Sequence, residues 1–229
     1  MDRRRINLWA GTILAAIPIG FLTLFGLLQG LFHGYPQILR APVPEIFSAF
    51  KAGGQNLIAV WYGLFALALL FVPASILARR ALGRDDALGD GLVVSGVLAG
   101  VFQALGLARW IFVVPGLVRF HDASNASEAQ RLASEAVFLG FHHFFGSLVG
   151  EHLGYLATGA FTICLGICLT KSGKIGSWFG YAGMAIALGM WVGLLEPLTG
   201  PIILPAVSIV YCVWACWLIY GGIRLSRSA

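Results

Sequence analysis

Six stretches of this chain run for 20 residues or more almost without charge, and nothing constrains its fold more. They lie at Leu8–Phe32, Asn56–Ala78, Leu92–Val118, His142–Leu169, Gly176–Leu195 and Ile202–Ile223, with Arg109 interrupting the third and Glu151 the fourth. A hydrocarbon layer about 30 Å thick is crossed by a helix of roughly 20 apolar residues. The expected fold is therefore all-α, an integral membrane bundle of six transmembrane helices in a single domain, 1–229. The composition agrees: of 229 residues 59% are apolar and only 11% charged, with a mean hydropathy of +0.85. Six spans leave little chain for a separate soluble catalytic domain. The net charge of +5 does not point to nucleic acid, because the basic residues punctuate apolar runs instead of gathering on one soluble surface. The opening Arg3-Arg4-Arg5 and apolar run read as a retained first span, since no small-residue cleavage site follows.

An even number of spans puts both termini on one side, and the basic residues indicate which. Arg3, Arg4, Arg5, Arg79, Arg80, Arg84, Lys171, Lys174, Arg224 and Arg227 fall at that side, against Arg40, Lys51, Arg119 and Arg131 at the other. Lys and Arg accumulate in cytoplasmic loops. The expected location is the cell (inner) membrane, multi-pass, with both termini cytoplasmic. Two outer connections, 33–55 and 119–141, are long. In the first, Ile46, Phe47 and Phe50 share a helical face suited to the bilayer interface. In the second, Ser127 and Gln130 have capping-box spacing, starting a helix that runs into the fourth span.

All five histidines fall on the outer side: His33, His121, His142, His143 and His152. On an α-helix turning 100° per residue, His142, His143, Glu151 and His152 diverge, so that helix alone forms no metal site. Arg109 and Glu151 are more informative. Each is nine residues from the estimated outer end of its span, about 13 Å deep. Charges at such depth pair with one another or line a hydrated cavity, which makes the two obvious partners. Either they are an ion pair orienting two helices, or Arg109 holds an anionic group while Glu151 accepts a proton. Pro115 removes a helical hydrogen bond and clashes with the carbonyl of Ile111, so a kink near Arg109 is expected. Glu196 sits at the edge of a tight outer turn between Pro197 and Gly200-Pro201.

Glycines at small-xxx-small spacing, such as 146, 150 and 154, suit close helix packing; the other reading is a flat groove for a lipid tail, quinone or porphyrin. Cys164/Cys168 and Cys212/Cys216 read as small buried residues, not as a thiolate site. Trp9, Trp178, Tyr181, Trp217 and Tyr220 near the cytoplasmic ends suit an aromatic belt. No phosphate loop, nucleophile elbow or lysine within a span is present, and no motif specifies a cofactor.

Gly150-Glu151-His152-Leu153-Gly154-Tyr155, Lys171-Ser172-Gly173-Lys174-Ile175 and Trp178-Phe179-Gly180 together resemble a bacterial multi-pass membrane family, that of domain of unknown function 4386. Leu107-Ala108-Arg109-Trp110 and Val113-Val114-Pro115 resemble its third span. The resemblance implies about six helices and no activity.

The expectation is a polar pocket opening to the outer half of the bilayer, walled by spans three to five, with Arg109, Glu151, His152, His143 and Glu196 as ligand-binding residues and no metal. It would take an apolar or redox ligand, a lipid, quinone or haem, in a binding protein or in an accessory subunit with a membrane protein partner. The alternatives are an intramembrane enzyme with Glu151 or His152 as base and Arg109 as electrostatic stabiliser, or a small proton-coupled transporter with Glu151 carrying the proton.

Overall fold

The structure, a computed structural model, describes residues 2–228. It is almost wholly helical, with no strand among the described residues, and six of its helical stretches are long and apolar enough to cross a membrane. The first span is α1 (Arg3–Leu31). The second joins α2 (Val43–Leu69) to α3 (Phe71–Ala81), and the third joins α4 (Ala87–Phe112) to α5 (Val114–His121). In the fourth, α6 (Glu128–Phe141) continues through a π-helical segment, His142–Leu153, into α7 (Gly154–Ser172). The fifth is α8 (Ser177–Trp191), a 3-10 turn and the single turn α9 (Glu196–Thr199); α10 (Leu204–Arg227) is the sixth. The chain is a multi-pass membrane protein.

Local chemistry sets the breaks. Pro73 and Pro115 each clash with the carbonyl four residues earlier, and the helices break at Leu70 and Val113, whereas α1 continues through Pro18. Asp86 caps α4 by accepting from the Gly89 N–H at 3.1 Å; that hydrogen bond, with Arg84 beside it, holds the Asp86 carboxyl below its ordinary pKa. Ser127 caps α6 by accepting from the Gln130 N–H at 3.2 Å, while the Gln130 side chain donates to the Phe120 carbonyl instead of closing the box. Gly173 ends α7 at φ 65°, a conformation glycine adopts without strain.

Two cores fill the bundle. Near the termini, Leu14, Ile17, Phe71, Phe161, Trp214 and Leu218 pack between α1, α3, α4, α7, α8 and α10. Asn7 donates to the Ser228 carbonyl there, and Lys174 donates to the Ala81 carbonyl at 2.7 Å and to Asn7 Oδ1 at 3.1 Å. Burial lowers the Lys174 pKa. At the opposite end the second core is aromatic: Trp61 and Trp110 stack at 5.1 Å, with Phe32, Phe50 and Phe138 around them.

Ile46, Phe47 and Phe50 belong to this second core, each at most 4% exposed, and do not lie at the bilayer interface as expected. The reason is Gly54, whose φ of 56° and ψ of −151° bend the second span. A shared apolar face tells that a helix will be buried. It does not tell whether lipid or protein will cover it.

The glycine stripe serves packing. A Cβ on Gly106 would come within 2.7 Å of the Gly150 Cα, and one on Gly146 within 2.8 Å of Arg109 Nη2. The first pair lets α4 and the π segment touch, and Gly146 makes room for a guanidinium.

Candidate functional site

Arg109 lies in the last turn of α4 and is 8% exposed. Its Nη1 donates to the Gly106 carbonyl, and its guanidinium carbon sits 5.1 Å from the Trp110 ring centre, within reach of a cation–π attraction. Nε has no hydrogen-bond partner.

Facing it is the π segment. Its i→i+5 bonding widens the turn, so residues four and five apart share a face instead of three and four apart. His143, Ser147, Leu148, Glu151 and His152 therefore line one cavity, where an α-helix would have placed His143 and His152 on opposite sides. The divergence expected on α-helical geometry is corrected on this ground. Such segments are rare, and they occur frequently at functional sites.

The cavity has a volume of about 640 Å³ and lies at the end of the bundle remote from the termini. Its walls come from the 37–41 loop, α2, α4, the fourth span and the turn around α9, so the second span and the first connection join the three spans expected. Arg109, Glu151, His152, His143 and Glu196 all line it. So do Arg40 and His142, which sequence reasoning did not single out as ligand-binding.

Arg40 changes the electrostatics. Its Nη2 lies 2.8 Å from Glu196 Oε1 and 3.6 Å from Glu151 Oε2, tying the first connection to spans four and five. Among the described residues, Arg109 has no carboxylate within 4.0 Å, so the Arg109–Glu151 pair expected from equal depth, direct or bridged by water, is not formed directly. Equal depth locates two charges on one level but carries no information about their direction, and a loop arginine reaches Glu151 instead. The available signal was Arg40 itself, one of only four basic residues on its side of the chain.

Four buried side-chain polar atoms among the described residues lack a hydrogen-bond partner: Trp61 Nε1, Arg109 Nε, His142 Nδ1 and Glu151 Oε2. The last three belong to residues that line this cavity. Buried polar groups are nearly always paired, so three orphans around one void are unusual. Nearby, burial and then the Glu151 carboxylate raise the Tyr35 phenol above its ordinary pKa, keeping it neutral. Leu139 and Leu148 line the cavity while each remains 43% exposed, so its apolar wall reaches the outside of the bundle.

The remaining candidates lie elsewhere. His33 is exposed beyond α1. His121 stands between Asp122 Oδ1 at 2.8 Å and Glu135 Oε1 at 3.2 Å, and Lys51 reaches Asp122 at 2.7 Å, a network fastening α2 to α5 and α6. Cys164 and Cys168 pack on α7 whereas Cys212 and Cys216 are exposed on α10. No group of three or more His, Cys, Asp or Glu among the described residues is disposed to hold a metal ion.

A family model described as domain of unknown function (DUF4386) matches residues 9–222. No curated protein matches the chain, and no solved structure does.

Proposed function

The chain belongs to the family of domain of unknown function 4386, and from its cavity we propose that it is a membrane protein that binds an amphiphile, a lipid, quinone or haem, with the polar head held inside the bundle. The observation that carries this reading is the set of unpartnered atoms on Arg109, His142 and Glu151 around a void of about 640 Å³. Ligand sites typically span about 300–1,000 Å³, largely apolar with a few convergent polar groups. Here Arg109 is buried, Glu151 and Glu196 are partly so, and Leu139 and Leu148 extend the apolar wall toward the outside of the bundle. An ionisable group kept in a membrane helix marks function more often than packing.

Ten basic residues at the terminal end support an orientation with both termini cytoplasmic in the cell (inner) membrane, the cavity then opening outward. A binding protein or an accessory subunit handing its ligand to a membrane partner would use such a site.

Purified full-length chain, examined by absorbance and by native mass spectrometry, tests the reading. The expected result is a stoichiometric small molecule, visible by colour if haem or quinone and by mass alone if lipid. Glu151→Gln should lower its occupancy, while replacing Cys164, Cys168, Cys212 and Cys216 by alanine should leave it intact. Full occupancy in Glu151→Gln combined with loss in the cysteine-free chain would place the site at the wrong end.

A further inference from the structure

The charges around the cavity restrict what head it takes. Two guanidinium groups, Arg40 and Arg109, face two carboxylates, Glu151 and Glu196, so the wall is formally neutral. Arg40 lies against both carboxylates, 2.8 Å from Glu196 and 3.6 Å from Glu151. That leaves Arg109, more than nine-tenths buried, as the cation without a carboxylate within 4.0 Å, its Nε unpartnered. Across the same void Glu151 Oε2 accepts no hydrogen bond, Arg40 Nη2 standing 3.6 Å away and shared with Glu196.

A head that satisfies both must offer an acceptor to Arg109 and a donor to Glu151. A purely anionic head would satisfy Arg109 alone and leave net negative charge in a low-dielectric site, which is costly. A quinone offers only acceptors and leaves Glu151 unsatisfied. A quaternary ammonium has no N–H to donate. We infer that the cavity takes a zwitterionic amphiphile, its phosphate against Arg109 and its primary ammonium against Glu151, as in a phosphatidylethanolamine. Glu196 stays with Arg40 and holds the first connection over the head. This inference rests on the amphiphile-binding reading and narrows it to one class.

The test uses the full chain in nanodiscs of equal phosphatidylethanolamine, phosphatidylglycerol and phosphatidylcholine, with retained lipids identified by native mass spectrometry after mild detergent washing. The wild-type chain should retain the ethanolamine lipid in preference to both others. A charge-assisted hydrogen bond corresponds to roughly tenfold or more in an equilibrium constant. Glu151→Gln should therefore reduce the preference about tenfold, and Arg109→Lys, which keeps the charge but loses the fork, should weaken retention of phosphate lipids. Asp85→Asn, at a side chain 96% exposed on a loop, should change nothing. Preferential retention of the glycerol or choline lipid, or a preference unaltered in Glu151→Gln, overturns the inference. Retention of a quinone or haem in place of phospholipid also overturns it, while leaving the amphiphile-binding reading standing. Retention of no amphiphile of any kind would end both.

Discussion

At the scale of single residues, the chain treats its charges in two ways. Around the cavity, Arg109 Nε and Glu151 Oε2 make no hydrogen bond, although Arg40 stands 3.6 Å from the latter. Away from the cavity, between α2, α5 and α6, Lys51, Asp122, His121 and Glu135 satisfy one another. The Lys51 ammonium, and then His121, hold the Asp122 carboxyl below its ordinary value of about 3.9. A carboxylate whose pKa is depressed by folding contributes stability above its unfolded value, and that contribution is lost as pH falls through the folded one. Asp122 is close to solvent, so the effect is small, below about 1 kcal/mol. Thermal melting in detergent should show an acid-induced loss below about pH 4 that is smaller in Asp122→Asn than in the wild type. Identical acid profiles for the two proteins would show that the network carries no linked proton.

At the scale of elements, the π segment decides which side chains meet. Hydropathy and spacing make the fourth span legible, and Ser127 marks its start as the structure has it. The i→i+5 bonding is not legible, because the same residues are compatible with an α-helix. Pro115 was readable as a break because its ring removes a helical hydrogen bond and clashes with the Ile111 carbonyl, although α1 runs unbroken through Pro18. Single cysteines placed along His142–Leu153 in a cysteine-free chain provide a direct check. Positions 143, 147, 148 and 152 should react together with a water-soluble thiol reagent, and 146, 149 and 150 should be protected. Labelling at 143 and protection at 152 would restore α-helical geometry and break up the site.

At the scale of the molecule, six spans were readable from apolar run length alone, since a bilayer imposes its thickness on any chain that crosses it. That Arg109 and Glu151 lie within the third and fourth spans, where the structure has them, was also readable from run length. Their partners were not: Arg40 reaches Glu151 from a connection whose path depends on how Gln37–Arg40 folds over the bundle end. Nor was the fate of Ile46, Phe47 and Phe50, which depended on the bend at Gly54. The proposed orientation predicts that a cysteine at position 85 in a cysteine-free chain stays unlabelled when an impermeant reagent is applied outside intact cells. Labelling there from outside would invert the molecule.

The account turns on what lies between Arg109 and Glu151. An experimental density map of the full chain in a phosphatidylethanolamine bilayer measures that most directly. It should show continuous density with a head between the Arg109 guanidinium and the Glu151 carboxylate and a tail leaving past Leu139 and Leu148. Arg109 and Glu151 closed into a direct ion pair under 4 Å, with the cavity collapsed around them, would contradict it.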